Sequence, residues 1–203
     1  DWNVIYDYDF KYGYEGQVKD TEDIEIRTVC PGRTGSLAMY RDSFGNALLP
    51  FAAESFGKAY FSRQFPWDTQ AVDENPPDAV VIEITERNLD QIADTAPVME
   101  APERQMTGQK GKASFAVQAA LWSDKLVKIN GYVKAAPDSD SEFYITLGNR
   151  QYEAFPIDEW KQGAEGSGFT LYVPAEVYEQ GEVKSSVIYK EQGNYWETGT
   201  QQI

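Results

Sequence analysis

The chain has 203 residues, with 33 acidic and 18 basic side chains, a formal charge of −15 and a sequence pI near 4.4. That balance argues against nucleic acid or anionic lipid as a partner, because phosphate binding needs clustered Lys and Arg. Histidine is absent, so no Ser-His or Cys-His catalytic unit is complete within this chain, and a His-ligated metal is excluded with it.

Hydrophobic residues make up 41% and charged residues 25%, as in a folded globular protein with room for a real core. The single cysteine, Cys30, has no internal disulfide partner, and one thiol does not fix the redox compartment. No apolar run approaches the roughly 18 residues of a membrane span, so no integral membrane segment is expected. Asp1-Trp2-Asn3 does not open a signal peptide. Either the protein is cytoplasmic or a secretion signal was removed before residue 1; an acidic chain with 13 Tyr and 5 Trp fits an exported bacterial protein better, so an extracytoplasmic location is expected.

In chain order, Asn3 to Tyr12 and Asp23 to Val29 alternate like strands, with Gly13 to Thr21 between them. Ser36 to Tyr40 is a short apolar strand leading into Arg41-Asp42-Ser43-Phe44-Gly45-Asn46. Apolar residues at 48, 51, 52, 55 and 56 follow at helical spacing, with Pro50 in the tolerant first turn and Gly57 as the stop. Lys58 to Ser62 reads as the next strand. Ala79 to Ile84 is nearly continuous and β-branched, the pattern of a central strand covered on both faces. Thr85 to Asn88 makes a turn, and Leu89 to Ala93 starts another helix.

Strands alternating with helices predict a parallel sheet whose functional loops lie at the carboxyl ends of the strands. Ser43 and Glu86 to Asn88 fall in such loops. A parallel unit needs more flanking strands than these hundred residues supply, so an N-terminal segment is expected to be missing.

Beyond Pro97 the helical period disappears. Seven strands are predicted: Ser114 to Ala120, Leu126 to Val133, Phe143 to Leu147, Arg150 to Phe155, Gly168 to Val173, Glu182 to Lys190 and Tyr195 to Thr198. Their turn signals include Gly148-Asn149, a two-residue hairpin. Short strands at this density predict an antiparallel sandwich. Polar Glu100 to Lys112, with Pro102, Gly108 and Gly111, reads as the linker. The expected fold is therefore α/β over 1–100, a partial flavodoxin-like parallel sheet, followed by an all-β sandwich accessory domain over 101–203.

The chemistry centres on Ser43. A serine at a sharp strand-to-helix turn exposes its hydroxyl at the end of the sheet, where backbone N–H groups at the helix start can hold an oxyanion. Its blander alternative is a helix N-cap. For Arg87 the blander alternative is a pairing with Glu83 or Glu86 on a solvated turn.

Two motifs, Arg41-Asp42-Ser43-Phe44-Gly45-Asn46 and Pro77-Asp78-Ala79-Val80-Val81-Ile82-Glu83-Ile84-Thr85-Glu86-Arg87-Asn88-Leu89, resemble the C-terminal half of the DHHW proteins. These belong with the SGNH-hydrolase-like polysaccharide O-acetyltransferases, and the resemblance covers roughly residues 23 to 95. It implies a covalent mechanism in which a serine accepts an acetyl group and passes it to a sugar hydroxyl or to water. Ser43 matches the nucleophile, and Asp42 the residue before it in the Asp-Ser-Phe motif. Arg87 and Asn88 match the second conserved turn, where they would hold the acetyl oxygen or substrate, with Gly45 beside the serine. No cofactor is implied, and polysaccharide is the expected partner.

The chain departs from that pattern where the family carries an Asp-x-His base, since it has no histidine. A serine without a base is a poor nucleophile, and loss of one triad member costs several orders of magnitude in rate. The chain is thus expected to be inert alone, as the C-terminal portion of a longer enzyme or as a degenerate member. The alternative is a non-catalytic extracellular carbohydrate-binding or interaction protein.

Two acidic runs, Asp20 to Asp23 and Asp138 to Glu142, lack the glycine and distal glutamate of a calcium loop and read as plain acidic turns. The second half is rich in aromatics, among them Trp122, Tyr132, Tyr144, Tyr152, Trp160, Tyr172, Tyr178, Tyr189, Tyr195 and Trp196. Such residues stack on sugars when exposed, yet mostly fill the core of a β-domain.

Overall fold

The computed structural model describes residues 8–93, 95–135, 142–157, 166–178 and 183–203. The chain divides into two compact units, Asp1–Leu89 and Asp90–Ile203, so the break falls about ten residues before the expected one at 100.

The first unit holds β1 (Gly13–Glu15), β2 (Glu25–Val29), β3 (Ser36–Tyr40), α1 (Leu49–Ser55), β4 (Lys58–Ser62), α2 (Gln70–Glu74) and β5 (Ala79–Ile82). They form a five-stranded sheet in the order β1-β2-β4-β3-β5. Only β4, β3 and β5 run parallel, while β2 is antiparallel to β4 and β1 to β2. The sheet is therefore mixed, with short helices, and not the parallel one expected. Residues 3–7 of the predicted strand Asn3 to Tyr12 lie outside the described residues; 8–12 carry no strand, and pairing starts at Gly13.

Alternation sorts β3 by face. Leu37 and Met39 join Ile26, Ala59 and Phe61 beneath Leu49 and Ala53 of α1. Ala38 and Tyr40 face the other way, where the Tyr40 hydroxyl donates to the Asp68 carbonyl at 2.9 Å. All four are buried.

Two apolar expectations are corrected here. In α1 the buried residues are Leu49, Pro50, Ala53 and Glu54, whereas Leu48 and Phe51 are exposed at 50% and 46%. The helix is rotated relative to its expected apolar face because Leu49 and Ala53, one turn apart, fit against the tight surface of Leu37, Met39 and Phe61. Ala79 to Ile84, expected to be central, ends as a strand at Ile82 and forms the sheet edge. Val80, Val81 and Ile82 are 52%, 42% and 52% exposed, since among the described residues β5 pairs on one side only.

The second unit contains α3 (Asp90–Ala93), β6 (Gln109–Lys110), β7 (Phe115–Leu121), β8 (Leu126–Val133), β9 (Phe143–Leu147), β10 (Arg150–Ile157), β11 (Ser167–Pro174), β12 (Lys184–Glu191), β13 (Asn194–Glu197) and β14 (Gln201–Gln202). The predicted strands occur with small shifts at their ends. They form one nine-stranded sheet, ordered β6-β13-β12-β9-β10-β11-β8-β7, with β14 also pairing β12. Two facing sheets of a sandwich are not what the pairing gives. One face of β7 through β12 gathers into a single core including Val117, Ile129, Ile145, Tyr152, Phe169 and Val187. A sheet this wide buries one face in one cluster only by curling. The Phe143 and Phe169 rings, from strands separated by β10, accordingly lie 5.5 Å apart. Gly148-Asn149 makes the expected hairpin turn between Leu147 and Arg150, with Gly148 at φ +63°.

The expected linker is largely integral to this unit. Ala101 N–H donates to the Tyr172 carbonyl at 2.8 Å, Glu153 N–H to the Pro102 carbonyl at 2.9 Å, and Arg104 N–H to the Gln151 carbonyl at 2.9 Å. Residues 101–104 thus bond to both β10 and β11 beyond the point where those two strands stop pairing with each other. Ala96 and Val98 pack on Tyr172 and Leu126, and β6 lies within the same stretch.

Candidate functional site

Strands β3, β4 and β5 run in one direction and stop together, with Tyr40 level with Ser62 and with Ile82. Pairing continues one residue further, through Arg41 N–H to the Ser62 carbonyl (2.9 Å) and Glu83 N–H to the Tyr40 carbonyl (2.8 Å). Residues 41–48 and 83–89 are therefore neighbouring loops at the carboxyl edge, where open sheets of this kind present ligand-binding groups.

Ser43 sits at the N-cap of a 3-10 turn, Phe44–Ala47, with φ −67° and ψ −21°. It is exposed, and its hydroxyl makes no capping hydrogen bond. Asp42 does the capping, its Oδ1 accepting the Phe44 N–H at 2.8 Å. Its Oδ2 accepts from the Thr85 N–H (2.9 Å), the Thr85 hydroxyl (2.7 Å) and the Asn88 side-chain amide (3.3 Å). Asp42 is a strut between the two loops.

Desolvation pushes the Asp42 pKa up, but the hydrogen bonds from Thr85, Phe44 and Asn88 outweigh it and hold the group at about 2. A carboxylate that acidic is a very weak proton acceptor near neutrality, which leaves it a positional role beside the serine.

Glu83 approaches the same turn from within. Its Oε2 accepts the Asp42 N–H at 3.1 Å. Burial, helped by the charge of Asp42, raises its pKa above the ordinary 4.5. Gly45 is buried. A Cβ at residue 45 would fall 2.6 Å from Arg41 Cβ and 2.7 Å from Glu83 Oε2, so glycine is required there by close approach.

Arg41 is 3% exposed. Its guanidinium donates to the Asn46 side-chain oxygen and to the Thr21 carbonyl, the latter at 2.9 Å, tying the turn to the segment before β2. Burial and the nearby Arg63 lower its pKa.

Among the residues singled out from sequence, Arg87 is exposed, with its guanidinium carbon 5.3 Å from the centroid of the Phe44 ring. That is a cation–π contact in place of an ion pair with Glu83 or Glu86. Asn88 spends its amide on Asp42 and on the Thr85 hydroxyl (2.9 Å), so it braces the loop. Ser43, Asp42, Gly45, Arg87 and Asn88 are thus brought into one neighbourhood, with Ser43 and Arg87 turned outward and the other three holding the backbone. Glu83 and Thr85 were not singled out. The signal available was complementarity, an acceptor-rich Asp42 in one loop and a donor-rich Thr85 and Asn88 in the other.

No cluster of three or more His, Cys, Asp or Glu fit to hold a metal occurs among the described residues. Asp20 and Asp23 accept local backbone N–H groups, and Glu22 pairs with Arg63. Asp138 to Ser141 lie outside the described residues, while Glu142 accepts from the Tyr144 and Tyr195 hydroxyls, both at 2.8 Å, and from Lys190 at 3.1 Å. Of the aromatics, Tyr144, Tyr152, Tyr172 and Tyr189 are buried, Tyr178 and Trp196 pack on the core, and Trp160 lies outside the described residues. Trp122 is 40% exposed, edge-on to Tyr172 at 5.4 Å.

No helix among the described residues is long and apolar enough to cross a membrane. Comparison with protein-family models, with curated proteins and with solved structures finds no match to this chain.

Proposed function

We propose that the first unit carries the nucleophile half of a serine acyl-transfer site of O-acetyltransferase or esterase type, acting on extracytoplasmic polysaccharide. The observation that carries this reading is the Ser43 hydroxyl, exposed and uncapped on a turn braced from both sides. A serine that served only as an N-cap would spend its oxygen on the helix start; here Asp42 takes that duty.

In this reading Ser43 Oγ attacks the acyl carbon while its proton passes to a base, and the acyl oxygen gathers charge near the start of the turn. The bond to the donor's leaving group then breaks, that group takes the proton, and a sugar hydroxyl or water releases the acyl group from Ser43. Arg87 stands over Phe44 at the outer side to receive substrate polar groups. The chain supplies no histidine, and Asp42 is too acidic to substitute. The base therefore comes from outside these residues, and the chain alone is close to inert.

Imidazole added in solution serves as a surrogate base. Treatment with a fluorophosphonate, followed by peptide mass spectrometry, is expected to place the adduct on Ser43 with imidazole present and to leave Ser43→Ala unmodified. Absence of any Ser43 adduct overturns the assignment.

A second reading, glycan binding by the second unit, is favoured by Trp122, whose exposed ring also has the Lys128 ammonium 5.7 Å from its centroid. Aromatic faces with a polar neighbour are what sugar rings stack on. Soluble polysaccharide should then raise the melting temperature and alter Trp fluorescence in the parent chain but not in Trp122→Ala; no change in the parent refutes it.

A further inference from the structure

Glu83 belongs to no motif role described above, yet its carboxylate is lodged in the hollow of the turn that carries Ser43. Its backbone is anchored first, by its N–H to the Tyr40 carbonyl at 2.8 Å, one step beyond the end of β5. Its Oε2 then accepts the N–H of Asp42 at 3.1 Å and packs against Gly45, which has no room for a Cβ on that side. Those two residues flank the dipeptide Ser43–Phe44. With one bonded to the carboxylate and the other packed on it, the intervening serine is left facing solvent, as observed.

The fit is close. Gly45 is buried, and any Cβ there would come within 2.7 Å of Glu83 Oε2, so the glycine and the glutamate are matched to each other. Asp42 braces the outer side of the same dipeptide through Phe44 and Thr85, and the buried Arg41 guanidinium ties the turn to Thr21 and Asn46. We propose that Glu83 is the positioning residue of the Ser43 turn, a clamp that fixes the direction of the hydroxyl by bonding the amide before it and packing against the glycine after it.

A clamp of this kind is an expensive way to stabilise a loop. Glu83 is partly desolvated and stands beside a second carboxylate, and its pKa is raised accordingly. A neutral side chain of similar shape avoids that repulsion while keeping an acceptor oxygen, so the clamp depends on the reach of the side chain and not on its charge. The proposal rests on the acyl-transfer reading for what the hydroxyl does, and on geometry alone for the clamp.

The test compares Glu83→Ala, Glu83→Gln and Glu83→Asp by amide hydrogen exchange and by imidazole-supported fluorophosphonate labelling of Ser43. Glu83→Ala frees the Asp42 amide, so its exchange should accelerate by about 10-fold or more. Labelling should slow by about 10- to 100-fold, the loss typical of a reacting group displaced by an ångström. Glu83→Gln keeps an acceptor oxygen in place and should restore both quantities to within about 3-fold. Glu83→Asp, one methylene short, should behave like the alanine variant, and it decides the matter if Glu83→Ala does not fold. Unchanged exchange at Asp42 in both the alanine and aspartate variants overturns the clamp, as does a glutamine variant that fails to restore labelling. A parent chain that shows no Ser43 labelling sinks the acyl-transfer reading, while the exchange arm still decides whether Glu83 holds the turn.

Discussion

Each unit contains a strand that is apolar almost throughout, and the two strands meet opposite fates. In the second unit, Gly168 to Val173 of β11 are buried on both faces. Phe169, Leu171 and Val173 enter the curled core, while Tyr172 is roofed by Ala96, Val98 and Leu126. In the first unit, Val80, Val81 and Ile82 of β5 are exposed on both faces. The residues are of one kind, so the difference lies in the cover. For β11 it comes from segment 96–104, which overlaps the expected linker and bonds to β11 and β10 through its backbone. An apolar strand needs two covered faces, but nothing in its own residues says which part of the chain covers them.

The comparison can be broken most severely at Val98, which has no exposed surface. Val98→Asp places an unpaired carboxylate under the roof over Tyr172 and should destabilise the second unit by about 3 kcal/mol or more, read from urea unfolding. A loss below about 1 kcal/mol would show that segment 96–104 is an ornament on β11 and not its cover.

The first unit leans on hydrogen-bonded carboxylates at its loop edge, and acid probes that difference. Asp42 has its pKa held at about 2 against an ordinary 3.8. Its contribution is complete above 3.8 and is lost as pH falls from there toward 2. Asp42→Asn should lower stability near neutrality by about 1–3 kcal/mol, because an amide leaves some of the Thr85 and Phe44 donors unmatched. It should also flatten the decline in melting temperature between pH 4 and 2, a range set by those two values. A variant whose acid profile parallels the parent's would remove the strut.

The smallest effect is expected at the bare edge. Ile82→Lys changes a side chain that is 52% exposed and should shift stability by no more than about 0.5 kcal/mol. A loss comparable to that of Val98→Asp would mean that β5 is covered in solution.

The strands of the second unit were legible because each one's burial is carried by its own alternation, as in β8, where buried residues recur at 127, 129, 131 and 133. Their assembly was not, since a single curled sheet and a two-sheet sandwich ask for the same alternating strands. In the first unit, β3, β4 and the turn after β3 were readable from composition and turn chemistry. The face of α1 was misread because Leu48 and Phe51 carry the helical period as well as Leu49 and Ala53 do. At the site, Ser43 was visible from its place on the turn after β3, whereas Asp42, Arg87 and Asn88 were reached through the resemblance. Glu83 was hidden because its partner is the Asp42 backbone N–H, a group that no sequence pattern marks.

What the amino-acid order determined unaided was local: where strands begin and stop, which turns are tight, that no histidine is available, and that a serine opens a turn behind a strand. Only the tertiary arrangement decided that Asp42 reaches Thr85 across 43 positions, that Glu83 closes on the turn from the adjacent strand, and that β5 lies at an edge. The reason is the range of the forces involved. Propensity and alternation act within a few residues, whereas burial and carboxylate pKa values depend on whichever atoms the fold brings within a few ångströms.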